Sequence, residues 1–285
     1  MRVIAVKLSE WNPSDDLFNK LLSTLDTASI ERTKAYRFKD DAKIPGCIIG
    51  RLLPRYILTK YFNIDWNLIS FGATPENRPF YSNPVDIPVS DYNVSHDGDY
   101  VLIGYTLSHN SRIGVDVTRL ALPRNTTHEE FYQAFETQMH SSESINLRAM
   151  PDHTSKLSRL LSLWTLKEAY TKALGFGLGF DFSRVAYRFP CDYTADSTTP
   201  TTPEQRQQNA AANITAVTVD GRDLKLGYVT QGVLNRWGFF QAHLDGHLVA
   251  VSLRDGSEGQ YQQQEWLSTI HVDDLVNDVL SIKNK

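Results

Sequence analysis

Apolar and polar positions along the chain alternate between a period of two and a period of 3.6, and the switches outline the elements. Val3 and Ala5 stand against Ile4 and Val6 before Lys7, which predicts a strand buried on at least one face. Ser14 can cap a helix that carries Leu17, Phe18, Leu21, Leu22 and Leu25 at helical spacing. Ile48, Ile49, Leu52, Leu53, Tyr56 and Ile57 mark a second helix. Pro45 suits its first turn, whereas Pro54 lies inside and predicts a kink near Gly50. Strands follow around 92–94 and 100–107. After the turn residues Ser108, His109, Asn110 and Ser111 comes a strand with Ile113, Val115 and Val117 on one face and Gly114, Asp116 and Thr118 on the other. Residues 119–155 are polar, contain Pro123 and Pro151, and allow a short helix near 129–135. The strongest helix spans 156–174 and stops at Gly175 and Gly177. Asp245-Gly246 joins two strand patterns into a hairpin, and Val272, Leu275, Val276, Val279 and Leu280 form the apolar stripe of a final helix. Residues 194–213 have no Leu, Ile, Val, Met or aromatic side chain and are expected to be a mobile surface insertion. The outline is α+β: an N-terminal half over 1–112 and a C-terminal half over 113–285, meeting near 108–120.

Composition narrows the class without choosing a function. The chain has 285 residues, 41% of them hydrophobic and 22% charged, enough for one large domain or two smaller ones. A net charge of −4 argues against bulk nucleic-acid binding. No stretch approaches the roughly 18 apolar residues of a membrane span, and the N-terminal apolar run is shorter than a signal-peptide core of about 7–15 residues. Two cysteines, Cys47 and Cys191, make no disulfide framework, so a cytoplasmic setting is expected.

Four features could carry chemistry. Asn93-Val94-Ser95-His96 ends a strand; it serves either as turn chemistry or as an anion contact. Asp116 stands among β-branched residues on the non-core side of its strand. A solvent-facing side chain is the simplest reading, because a buried acid needs a partner. Glu168 and Lys172 are four apart, the spacing of an intrahelical ion pair. They share a stripe with Trp164, which suggests a site wall instead, and Glu168 is an oxygen donor of the kind Mg²⁺ accepts. Lys39, Lys43, Arg51 and Arg78 are cations of the first third, each an ordinary surface charge when taken alone. Walker A, G-x-G-x-x-G, G-x-S-x-G, H-E-x-x-H and paired-cysteine zinc patterns are absent from the sequence.

Taken in order, Gly50-Arg51-Leu52-Leu53, Arg78-Pro79, Asn93-Val94-Ser95-His96, Gly114-Val115-Asp116 and Trp164-x-x-Lys167-Glu168-Ala169-x-x-Lys172 resemble the larger, surfactin-synthetase-activating type of 4′-phosphopantetheinyl transferase. Gly175-Phe176-Gly177-Leu178-Gly179-Phe180 resembles the eukaryotic branch that activates α-aminoadipate reductase and fatty-acid synthase. The resemblance implies two similar α+β halves related by a pseudo-twofold axis, with coenzyme A and Mg²⁺ at their junction. It implies Asp116 and Glu168 as metal ligands, with Glu168, Lys172 and Asp116 as the catalytic set. It also implies Lys39, Lys43, Arg51, Arg78, Asn93, Ser95, His96, Lys167 and Lys172 as coenzyme contacts. Two positions depart from the family pattern: Thr118 stands where bacterial members often have a third acid, and Arg78 where a lysine is usual.

The implied reaction moves the 4′-phosphopantetheine arm of coenzyme A to a serine of an apo carrier protein, giving adenosine 3′,5′-bisphosphate. The implied partners are carrier domains of α-aminoadipate reductase, fatty-acid synthase, and peptide or polyketide synthases, met by a monomer that binds neither nucleic acid nor membrane. Two other readings stay open at this point: a non-catalytic coenzyme A-binding module, and an acyltransferase using coenzyme A thioesters.

Overall fold

The computed structural model describes residues 1–37, 44–82, 86–176, 179–189, 215–219, 221–223, 228–230, 237–254 and 266–283. Lys39, Lys43, Gly177, Cys191 and the expected insertion at 194–213 lie outside them. In chain order the elements are β1 (Arg2–Lys7), α1 (Asp15–Leu22), α2 (Thr27–Arg37), α3 (Ile44–Phe62), β2 (Phe71–Ala73), β3 (Pro79–Tyr81), β4 (Asp91–Asp97), β5 (Tyr100–Thr106) and β6 (Arg112–Arg119). They continue with α4 (His128–Glu136), α5 (Ser141–Arg148), α6 (His153–Leu174), β7 (Val185–Arg188), β8 (Thr215–Val219), β9 (Gly221–Asp223), β10 (Tyr228–Thr230), β11 (Trp237–Leu244), β12 (His247–Arg254), β13 (Leu267–His271) and α7 (Val272–Lys283).

Two sheets dominate this α+β fold. The first runs β13-β1-β5-β4, with β13 parallel to β1 and the other pairs antiparallel; the second runs β11-β12-β6, all antiparallel. Val3, Ala5 and Leu102 of the first sheet share a core with Ile113, Val115, Val117, Val249 and Val251 of the second, so the sheets lie face to face. The outer face of the first sheet carries Ile4, Val6, Val101 and Ile103 and packs on α1, α3 and α7. The outer face of the second packs on α6 through Leu160, Leu163, Leu166, Leu248 and Ala250. The layers are therefore helix, sheet, sheet, helix. Strand β1 is buried on both faces, because Ile4 and Val6 pack on the helices and Val3 and Ala5 on the second sheet.

The Ser14, Pro45, Gly175 and Asp245-Gly246 signals act as the sequence predicts. The Ser14 hydroxyl accepts from the Leu17 N–H and caps α1. Helix α3 is continuous through Pro54, with Pro45 in its first turn. Gly175 ends α6 in the left-handed region at φ 84°, and Asp245 and Gly246 take positive φ between β11 and β12. The C-terminal segment does not stay with the second half. β13 joins β1, and Val272, Leu275, Val276 and Val279 enter the core of the first half.

The two sheets also meet along an edge, through side chains. Asp91, Asn93, Ser95 and Asp97 alternate along β4, and each accepts a backbone N–H of β6. Ile113 N donates to Asp91 Oδ2 at 2.8 Å, Val115 N to Asn93 Oδ1 at 2.9 Å, Val117 N to Ser95 Oγ at 3.4 Å and Arg119 N to Asp97 Oδ2 at 2.7 Å. The free edge of β6 is satisfied by a row of side-chain acceptors where another strand would otherwise pair.

Candidate active site

The row on β4 sets Ser95 beside the middle of β6, and α6 supplies the opposing wall. Gly114, Asp116 and Thr118 do share a face, as alternation predicts, but that face lies under α6 and Asp116 is only 6% exposed. The solvent-facing reading of Asp116 is therefore corrected. Gly114 explains the close approach. A Cβ there would fall on the Ala169 carbonyl oxygen and the Ala173 amide nitrogen, so a larger residue would push helix and strand apart. Glu168 and Lys172 are carried on the same stretch of helix.

Three groups converge on Asp116. Lys172 Nζ donates to its Oδ1 at 2.6 Å, the Ser95 hydroxyl donates to the same oxygen at 2.9 Å, and the Thr118 hydroxyl donates to Oδ2 at 3.1 Å. Ser95 Oγ also accepts from Lys172 Nζ at 2.8 Å. The intrahelical Glu168–Lys172 ion pair suggested by spacing is replaced by this helix-to-strand pair, because the buried Asp116 carboxylate has the greater need of a countercharge. Burial pushes the Glu168 carboxyl above its ordinary value, the Asp116 charge pushes it further, and Lys172 pulls it partly back. Two acids and one ammonium thus face one another at a partly buried place.

Other predicted residues stand elsewhere. Lys167 lies on the opposite side of α6 with its side chain fully buried. It pairs with Glu143 of α5 at 2.8 Å and donates to the carbonyls of Phe182 and Val185. Its donors are spent inside the core, so the implied coenzyme contact is not what this geometry provides. Arg78 is likewise committed. It grips Asp91 through both terminal nitrogens, at 2.7 and 2.8 Å, and donates to the carbonyls of Ile113 and Lys172. It is a clamp between β4, β6 and α6. Asn93 spends its carbonyl oxygen on the Val115 amide. Trp164 packs edge-on against Phe135 and Phe182 and joins an aromatic cluster. His96 is exposed near the end of β4, beside Gly46 of α3, and Arg51 keeps a buried Nε with no hydrogen-bond partner among the described residues.

Sequence reasoning missed Asp91, Glu143 and the structural use of Asn93 and Ser95. A polar residue at every second position of a strand, Asp91, Asn93, Ser95 and Asp97, was the available signal. Among the described residues no group of three or more His, Cys, Asp or Glu gathers as a metal site.

Comparison with known proteins resolves the family. A model for the N-terminal part of 4′-phosphopantetheinyl transferase matches residues 9–107, and a model for the 4′-phosphopantetheinyl transferase superfamily matches residues 112–229. A 4′-phosphopantetheinyl transferase, pptA, of Paxillus involutus is 32% identical over 196 residues, covering 66% of this chain and 73% of its own. The chain belongs to the 4′-phosphopantetheinyl transferase superfamily. The L-aminoadipate-semialdehyde dehydrogenase-phosphopantetheinyl transferase of Homo sapiens is 27% identical over 263 residues, 90% of this chain and 76% of its own. Its namesake in Xenopus laevis is 29% identical over 185 residues, 64% of this chain and 60% of its own. All three relatives are eukaryotic, as the segment from Gly175 to Phe180 leads one to expect. Family membership makes the protein a transferase of phosphopantetheine. It does not favour the non-catalytic module.

Proposed function

We propose that the protein moves the 4′-phosphopantetheine arm of coenzyme A onto a serine hydroxyl of an apo carrier domain, at the cluster of Asp116, Glu168, Lys172 and Ser95. The observation that carries this site is the meeting of two carboxylates and an ammonium across the β6–α6 contact. The serine oxygen attacks the pantetheine-side phosphorus, and the bond to adenosine 3′,5′-bisphosphate breaks. The serine proton goes to Glu168. A carboxyl held above its ordinary value is a stronger base than an exposed one, and such help is typically worth about 10²–10⁴-fold. The Lys172 ammonium supports charge on the departing phosphate. Arg51, with its orphaned Nε, and His96 are the candidates for the nucleotide's phosphates. Lys39 and Lys43 join them on the strength of the family resemblance alone.

The donor set suits Mg²⁺. Asp116 and Glu168 are hard oxygen ligands, and their mutual repulsion is what a divalent cation relieves. Those two residues would hold the ion, which supplies charge neutralisation on the diphosphate when bound. A carboxylate has two oxygens, so Glu168 can keep one for the proton.

The relatives' names supply the acceptor class, and we extend it to this chain: a carrier domain of an aminoadipate-reducing enzyme first, fatty-acid, peptide or polyketide synthase carriers next. The reading includes a monomer working in the cytoplasm, supported by the sparse cysteines. No helix among the described residues is long and apolar enough to cross a membrane. Incubation with coenzyme A, Mg²⁺ and each apo carrier, followed by mass spectrometry, tests the proposal. The expected result is a gain of one phosphopantetheine group on the carrier serine. An unmodified carrier across the whole panel, or a carrier bearing an acyl group alone, overturns it.

A further inference from the structure

The Asp116 carboxylate already has a cation. Lys172 Nζ lies 2.6 Å from Asp116 Oδ1 and 2.8 Å from Ser95 Oγ, while the Ser95 proton is directed to that same Oδ1. The serine therefore presents a lone pair to the ammonium, and the two oxygens form a seat that Lys172 fills. A carboxylate this far from water needs a countercharge. Among the described residues Lys172 is the only one ion-paired to it. A second cation on Oδ1 would meet the ammonium at contact distance.

We propose that Lys172 is the resident cation of Asp116 in the ligand-free protein, and that a divalent ion gains this carboxylate only as the ammonium leaves it for the phosphates of the incoming coenzyme. The inference rests on the metal reading given above. The lysine is suited to the exchange: its four-carbon stem is flexible, its charge compact, and its side chain 27% exposed, so a path outward is open. Coenzyme and metal then help each other. The coenzyme removes the obstacle to the metal, and the metal frees the lysine for the coenzyme. Linkage requires the two effects to be equal in size.

The test uses Mn²⁺ as the probe, titrated into the full-length protein without coenzyme and followed by the electron paramagnetic resonance of the free ion. Wild type, Lys172→Gln, Lys172→Met, Asp116→Asn and the double variant Lys172→Gln/Asp116→Asn are compared after circular dichroism shows each folded. Both lysine variants are expected to bind Mn²⁺ at least about fivefold more tightly than wild type, and Asp116→Asn is expected to abolish that gain. With coenzyme A present, Mn²⁺ affinity should rise by a larger factor in wild type than in Lys172→Gln. Equal affinity in wild type and both lysine variants, still lost on Asp116→Asn, overturns the resident-cation inference and leaves the metal reading standing. Affinity indifferent to Asp116→Asn overturns the metal reading and the inference with it.

Discussion

Helix α6 carries a buried lysine on one side and a half-buried lysine on the other, and the two are treated in opposite ways. Lys167 has a carboxylate and two carbonyls, and its Glu143 partner also accepts the Tyr187 and His140 amides. Every charge there is matched. Burial pulls the Lys167 ammonium below its ordinary value, and Glu143 resists that pull. On the other side Lys172 serves Asp116, and Glu168 is left against a like charge with no ion pair among the described residues. A closed network holds the helix in place. An open one retains unused electrostatic capacity, and that is what a polyanionic substrate can complete.

Substitutions that move charge on one side at a time break or sharpen this contrast. The largest effect is expected from Glu168→Gln, which should lower turnover by about 10²–10⁴-fold in a carrier-loading assay if the carboxylate takes the serine proton. Near-normal turnover would remove Glu168 from that role. On the closed side, Lys167→Met leaves Glu143 buried without its ion and should cost about 3–5 kcal/mol in urea unfolding. Adding Glu143→Gln should return part of that loss. Turnover per folded molecule should hold within a few-fold, so a collapse of kcat in the folded fraction would make Lys167 part of the site.

The seam between the sheets gives an intermediate effect. Asn93→Ala orphans the Val115 amide and should cost about 1–3 kcal/mol. An unchanged unfolding midpoint would mean that the row of acceptors does not hold the sheets together. The smallest effect concerns pH. Glu168 is held above its ordinary value in the folded chain, so ionising it favours the unfolded chain. At acid pH, below the ordinary glutamate range, it is protonated in both states and that cost is absent. As pH rises through that range toward the raised value the cost appears. Glu168→Gln should therefore equal wild type in Tm at low pH and exceed it increasingly toward neutrality. A gap that closes with rising pH would contradict the assigned direction.

Much of this fold is legible in the sequence. The pattern placed α1 and α7, which each bury one apolar stripe, and α3, α6, β1 and the β11–β12 hairpin, whose apolar residues are dense enough to stand out. It did not place α2, α5, β2, β3 or β13. Helix α2 has hardly any apolar stripe, and β13 is a five-residue edge strand with three exposed positions and none fully buried, so neighbours rather than local pattern hold them. At the site, Ser95, Asp116, Glu168 and Lys172, which motif spacing groups, lie near one another in the structure. That spacing could not separate residues whose charge is spent within the fold, Arg78 and Lys167, from residues whose charge is available. That distinction depends on Asp91 and Glu143, which are distant in sequence and belong to no motif.

The row of acceptors on β4 has a further consequence, for alignment. Its period is two, so a slip of one residue between β4 and β6 would turn all four acceptors away from the amides they serve. A slip of two would keep a full complement of bonds in the middle of the row, and it would set either Asn93 or Asp97 where Ser95 stands. One choice removes the hydroxyl from Asp116; the other brings a carboxylate against a carboxylate. The seam thus rejects odd errors by geometry and even errors by chemistry, and the second check is made at the Ser95–Asp116 contact, where we propose the reaction takes place.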